Sequence, residues 1–172
     1  MKRFAGARAA TRIAMTLAAM SVLPVPASAQ TILLLIRENV AGRPLPAPLP
    51  VREGLTASLF DAGIVVFDLP GAAPASGASE IMRLAQSAGA DLILEVQADY
   101  TDTAAGGGLR ISLHVSWSLL AGKTGALLIS GTRDAANSGR ERDVDRLALG
   151  AEIAAPIAEE VRKALGAQEP PA

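Results

Sequence analysis

A chain of 172 residues with no cysteine and a net charge of −1 excludes several chemistries before any pattern is read. It can form no disulfide framework, thiolate nucleophile or thiolate zinc site, and it cannot carry a lipid on an N-terminal cysteine. Sixteen basic and seventeen acidic residues give neither the positive footprint of a nucleic-acid binder nor a polybasic patch for anionic lipid.

Residues 1–29 read as a secretory signal. Lys2, Arg3, Arg8 and Arg12 make a basic start, and Ile13 to Leu23 is an apolar run. Pro24 and Pro26 break the run before Ala27-Ser28-Ala29, an A-x-A cleavage pattern, so the mature chain is expected to start at Gln30 in the periplasm. The run is shorter than the ~20 residues a spanning helix needs, so no membrane insertion is expected once the signal is removed. Removing four basic residues and no acidic one leaves −5 for the mature part. A single α/β domain is expected over residues 30–166, with 167–172 a disordered tail. Such a length buries roughly two-thirds of its unfolded surface. With aromatics at 3%, the core must come from Leu, Ile, Val and Ala.

Thr31 to Ile36 is a continuous apolar run closed by Arg37-Glu38-Asn39, which predicts a central strand buried on both faces. Pro44, Pro46, Pro48 and Pro50 then recur on every second residue and predict an extended, polyproline-like loop over 40–50. Pro50 or Val51 opens a helix through Ala62, with Leu55 and Leu59 on its apolar side and Gly63 beyond its end. Ile64 to Asp68 is a second short strand, and Leu69 to Ala78 a loop. Ser79 is placed as the cap of a second helix through Ala88, stopped by Gly89. Ala90 to Tyr100 is the third strand, with Leu92, Leu94, Val96 and Ala98 facing opposite to Glu95, Gln97 and Asp99.

The strongest pattern follows. Ile111, Leu113, Val115, Trp117 and Leu119 alternate with Arg110, Ser112, His114, Ser116 and Ser118, the period-two signature of a strand with one wet and one buried face. Turns at Thr101 to Gly108 and Ala121 to Gly125 make the third, fourth and fifth strands a meander, the fifth ending at Thr132 before a loop over Asp134 to Gly139. The alternating charges of Arg140 to Arg146 read as a solvated helix start. A last helix runs from about Asp143 to Leu165, with a kink or break predicted at Pro156. The expected fold is α/β: a single-layer mixed sheet of five strands with about three helices, mainly on one face, in the order β-α-β-α-β-β-β-α.

This order and wording resemble a family of envelope domains, the TolB N-terminal and CsgG-like domains also seen in FlgT and LpoB. The residues that carry the likeness are Ile32 to Ile36, Leu55 to Phe67, Gly89-Ala90-Asp91-Leu92-Ile93-Leu94, and the hairpin Leu119 to Ser130 with its turn at Leu120 to Gly125. The resemblance implies a non-enzymatic domain that docks onto envelope proteins or assembles. Several members are lipoproteins, which a chain without cysteine does not match, and the propeller domain of TolB has no counterpart here.

Catalytic chemistry finds little support. His114 is the only histidine and has no second histidine or cysteine for a metal site. Ser112 and Ser116 share its strand face but lack a nucleophile elbow or a helix N-terminus aimed at them. Trp117, in phase with the apolar face, is expected in the core. Gly106-Gly107-Gly108 and Gly122-Lys123-Thr124 lack the strand-to-helix context of a phosphate loop. Asp61, Asp68, Asp91 and Asp99 read as caps at element ends.

What remains is a surface: Glu95, Gln97, Arg110, Ser112, His114, Ser116 and Ser118 are predicted to share the wet face of the meander, as either a docking face or plain solvated sheet. The expected function is an exported, soluble, non-catalytic envelope module that binds an envelope protein or itself, with no cofactor, no metal and no nucleic acid. A small-ligand binding protein, with its cleft near the proline-rich loop at the strand ends, is the alternative. An unrecognised hydrolase ranks third.

Overall fold

The computed structural model describes residues 30–47, 49–68, 77–105, 108–139 and 142–166. The expected signal, residues 1–29, and the expected tail, residues 167–172, lie outside them. The elements run β1 (Thr31–Val40), β2 (Arg43–Pro44), α1 (Pro50–Asp61), β3 (Val65–Asp68), α2 (Ala78–Ala88), β4 (Leu92–Ala105), β5 (Gly108–Ala121), β6 (Leu127–Gly139) and α3 (Arg142–Gly166). This is the predicted order with one addition, the two-residue β2, so the sheet has six strands.

The strand order is β2-β1-β4-β5-β6, with β3 also paired to β1. β1 runs parallel to β3 and β4, because α1 and α2 supply the crossovers that parallel neighbours require. β4, β5 and β6 form the antiparallel meander. The sheet divides the molecule cleanly. On one face Leu34, Leu94, Val96, Ile111, Leu113, Val115, Trp117 and Leu119 meet Val51, Leu55 and Leu59 of α1 and Leu149, Ile153, Ile157 and Val161 of α3. On the other, Leu33, Leu35 and Ile93 meet Ile81 and Ala85 of α2, which covers only the β1–β4 end. Two helices therefore lie on one face and one on the other, and the described residues leave the rest of the second face open.

α1 and α3 approach closely because both carry glycine at the crossing. A β-carbon on Gly54 would lie 2.9 Å from that of Ala154, and one on Gly150 would lie 2.6 Å from the backbone of Pro50. α3 runs unbroken through Pro156. α2 is capped by Gly77 rather than Ser79, with no side-chain capping bond, and ends at Gly89 in the left-handed conformation.

Three segments differ from the sequence expectation, all for one reason. Charged residues that looked like strand ends are held from the helix layer. β1 continues to Val40 because Glu38, in phase with the core, is buried against the start of α1. There its carboxylate accepts the N–H groups of Val51 at 3.2 Å and Arg52 at 2.8 Å. β4 continues to Ala105, with Asp102 paired to Arg146 of α3 at 2.6 Å. β6 continues to Gly139 in place of the predicted loop, since Arg133 pairs with Glu160 of α3 and Asn137 donates to Asp145 at 3.1 Å. The proline-rich stretch begins with a tight hairpin. Ala41 (φ 50°) and Gly42 (φ 75°) reverse the chain so that Arg43 and Pro44 pair back on β1. Pro48 lies outside the described residues.

Candidate protein-interaction face

The antiparallel register of the meander places the outward residues of β4, β5 and β6 in transverse rows. Glu95, Ser118 and Ser130 form one; Gln97, Ser116 and Thr132 the next; Asp99, His114 and Asp134 the third; Thr101, Ser112 and Ala136 the fourth. Arg110 follows opposite Thr103. All seven residues predicted from the sequence therefore share one face. Arg37 and Asn39 of β1 extend the second and third rows.

The face is cross-linked by its own side chains. Asn39 Nδ2 donates to Asp99 Oδ1 at 2.9 Å, and Gln97 Nε2 donates to Asp99 Oδ2 at 2.9 Å. His114 Nδ1 donates to Asp134 Oδ1 at 2.7 Å. Asp99 thus sits in mid-strand as part of this lattice, not at an element end as a cap. Asp68 likewise pairs with Arg52, while Asp91 does hold an element start, accepting the Thr31 hydroxyl at 2.8 Å. Partial burial pushes the Glu95 carboxyl up. Between Glu95, Gln97, Ser116, Ser118, Ser130 and Thr132 the surface dips into a depression of about 470 Å³ over Gly131.

Gly131 itself is in phase with the core, on the side of the strand opposite the depression. It stands opposite Trp117 in the register, and a β-carbon there would lie 3.0 Å from the indole. The ring fills the space a side chain would take, and Trp117 is 3% exposed in the core, as its phase predicts.

Sequence reasoning missed the β6 contribution, Ser130, Thr132 and Asp134. Their alternation was present, but the in-phase core positions are Gly131 and Arg133, which carry no apolar signal. Both departures have partners: Trp117 covers the first and Glu160 holds the second.

Two chemistries can be tested against this geometry. Residues two apart on one strand face are separated by roughly 7 Å, and no hydrogen bond joins His114 to Ser112 or Ser116 among the described residues. Among the described residues the Asp134–His114 pair is thus not hydrogen-bonded to a hydroxyl nucleophile. Among the described residues, no three His, Asp or Glu side chains converge as a metal site.

A second concavity lies at the opposite end of the sheet. A groove of about 600 Å³ runs between α1 and β3, lined by Ala47, Leu49, Thr56, Ala57, Phe60 and Val66, with Arg52, Glu53 and Asp68 at its polar side. Phe60 is 74% exposed on its rim. This is the region beside the proline-rich loop where the sequence placed the alternative ligand cleft.

No family model matches the chain, and no curated protein does. Solved structures do share its fold. The PelC dodecamer from Paraburkholderia phytofirmans aligns with a TM-score of 0.53 and 16% identity, over 74% of this chain and 86% of that one. The hypothetical protein CT253 from Chlamydia trachomatis aligns at 0.56 and 12% identity, over 82% of this chain and 100% of that one. Protein XCC0632 from Xanthomonas campestris, described under the family model DUF330, aligns at 0.50 and 11% identity, over 81% and 88%. At such identities the likeness is one of fold, shared with bacterial proteins of several descriptions. The resemblance to TolB N-terminal and CsgG-like domains is not confirmed beyond that fold.

Proposed function

We propose that the mature chain is an exported, non-catalytic envelope module that works by protein association, docking an envelope partner through its open sheet face or assembling with copies of itself. The observation that carries this reading is the open face. Its transverse rows offer hydroxyls, an amide and charges of both signs, on strands backed by a packed core. Among the described residues, helices cover the rest of the sheet and no element lies over these rows. A rigid sheet with a polar, patterned face suits recognition by complementarity, in which charge sets partner and register. Export rests on the basic start, apolar run and Ala27-Ser28-Ala29. Self-assembly draws support from the likeness to PelC, which is described as a dodecamer. No helix among the described residues is long and apolar enough to cross a membrane.

The test is capture of the tagged chain after cross-linking in its native envelope, with and without R110E and H114E combined. Reproducible capture of one partner, or of a second copy, that is lost in the variant supports docking through this face.

The groove along α1 favours a second reading, a small apolar ligand bound between Phe60, Leu49, Ala57 and Val66. That reading predicts a concentration-dependent rise in melting temperature with the ligand, abolished by F60D.

A further inference from the structure

The two edges of the sheet are built differently. On the β1 side the edge is short and interrupted: β3 pairs over four residues, β2 over two, and β2 contains Pro44. Short strands and proline are the usual means of preventing edge-to-edge pairing. β6 has none of them. It spans 13 residues, contains neither proline nor lysine, and pairs only with β5 among the described residues. Every second residue along it turns its backbone N–H and C=O away from the sheet.

One irregularity lies at the start of β6, where Leu128 is left over between Leu127 and Ile129 in the pairing with β5. Beyond it, from Ile129 to Gly139, charge is the remaining protection, and on β6 it is already engaged. Its two charged residues are Arg133 and Asp134. Arg133 is held over the core face by Glu160 of α3, and Asp134 is held over the open face by His114 of β5. Both side chains are tied back across the molecule and away from the free edge.

We propose that β6 is a self-pairing edge, on which a second copy of this chain adds its own β6 antiparallel, making one continuous sheet through the dimer. This rests on the self-association arm of the proposed function and names its surface. Opposite residues in a two-fold antiparallel pair share a face, so the centre of symmetry decides which charges meet. A centre at Arg133 or Asp134 sets like charges opposite each other. A centre at Thr132 avoids this: Thr132 faces Thr132 of the other copy, Arg133 faces Gly131, Asp134 faces Ser130, and Ala135 faces Ile129. Threonine pairs across antiparallel strands are favourable, and neither charge meets its like. The open faces of the two copies would then join into one wider polar surface.

The absence of cysteine makes the register directly testable. Opposed Cα atoms in an antiparallel pair lie about 4.5–5.5 Å apart, inside the range a disulfide spans. In the mature chain, T132C should therefore cross-link to a covalent dimer under mild oxidation. S130C should not, because its own copy lies roughly 13 Å along the strand. S130C combined with D134C should link again. T132K, which sets two lysines opposite each other at an exposed position, should raise the dimer dissociation constant at least tenfold in sedimentation equilibrium while leaving the circular dichroism spectrum unchanged. A chain that self-associates but gives no T132C dimer, or whose T132K variant assembles as the wild type does, overturns the β6 edge and leaves self-association to another surface. A chain that stays monomeric at the highest attainable concentration overturns both.

Discussion

The hydroxyl of Tyr100 on β4 donates to Glu38 Oε2 on β1 at 3.2 Å, inside the layer between the sheet and α1. The same carboxylate accepts the Val51 and Arg52 N–H groups, so a strand residue caps a helix whose own N-cap, Leu49, has no side-chain acceptor. Burial pushes Glu38 up against the lowering effect of those two N–H groups and of Tyr100. Burial and the adjacent Glu38 push Tyr100 up as well.

Removing this cap should be expensive. E38A leaves two helix N–H groups and the Tyr100 hydroxyl without their partner, at an expected cost of about 2–3 kcal/mol in urea unfolding. A loss below about 0.5 kcal/mol contradicts the role.

The same residue sets a pH dependence. A carboxyl whose folded pKa is raised binds its proton more tightly in the folded state. Its contribution is fully present below the ordinary glutamate value of 4.5 and is lost as pH rises through the raised folded value. E38Q cannot titrate. The stability of the wild type relative to E38Q should therefore fall as pH is raised from below 4.5, measured by urea unfolding at a series of pH values. Parallel curves contradict the assignment.

Helix contact gives a second packing prediction. G150A brings a methyl group into the backbone of Pro50, where the gap is 2.6 Å, and neither a helix start nor a proline ring gives way easily. The expected destabilisation is about 1–3 kcal/mol from overpacking. Alanine at the neighbouring exposed position, E152A, should change stability by less than about 0.5 kcal/mol.

Trp117, the only tryptophan, reports on its own site. G131A should displace the indole toward other packing, shifting its fluorescence emission and lowering stability by about 1–2 kcal/mol. An unchanged emission maximum with unchanged stability shows that the ring is not seated on Gly131.

How much of this was legible follows from where apolar side chains were needed. The wet and dry faces of β5 could be read because every buried position from Ile111 to Leu119 is apolar, and the same holds for Leu92 to Ala98. The ends of β1, β4 and β6 could not, because Glu38, Asp102, Arg133 and Asn137 occupy core-facing positions and are satisfied by atoms distant in sequence. A polar residue in phase reads locally as a strand end. Only the packed helices supply its partner. The seven candidate face residues came from the two strands whose alternation is complete; Ser130 and Thr132 lay inside the predicted fifth strand but were not assigned to the face, and Asp134 fell in the predicted loop.

The central claim is that the open face joins this chain to a protein. Arg110 and His114 are both exposed, so R110E and H114E together should keep the fold, at a cost of about 1 kcal/mol because the second change sets a carboxylate between Asp99 and Asp134 in place of the His114–Asp134 bond. The most direct measurement is quantitative capture of the mature, tagged chain after cross-linking in its native envelope, wild type beside this double variant. The account predicts one partner, or a second copy, recovered with the wild type and reduced at least tenfold with the variant. Equal recovery by both, or a folded wild type that captures nothing while a small molecule raises its melting temperature, contradicts it.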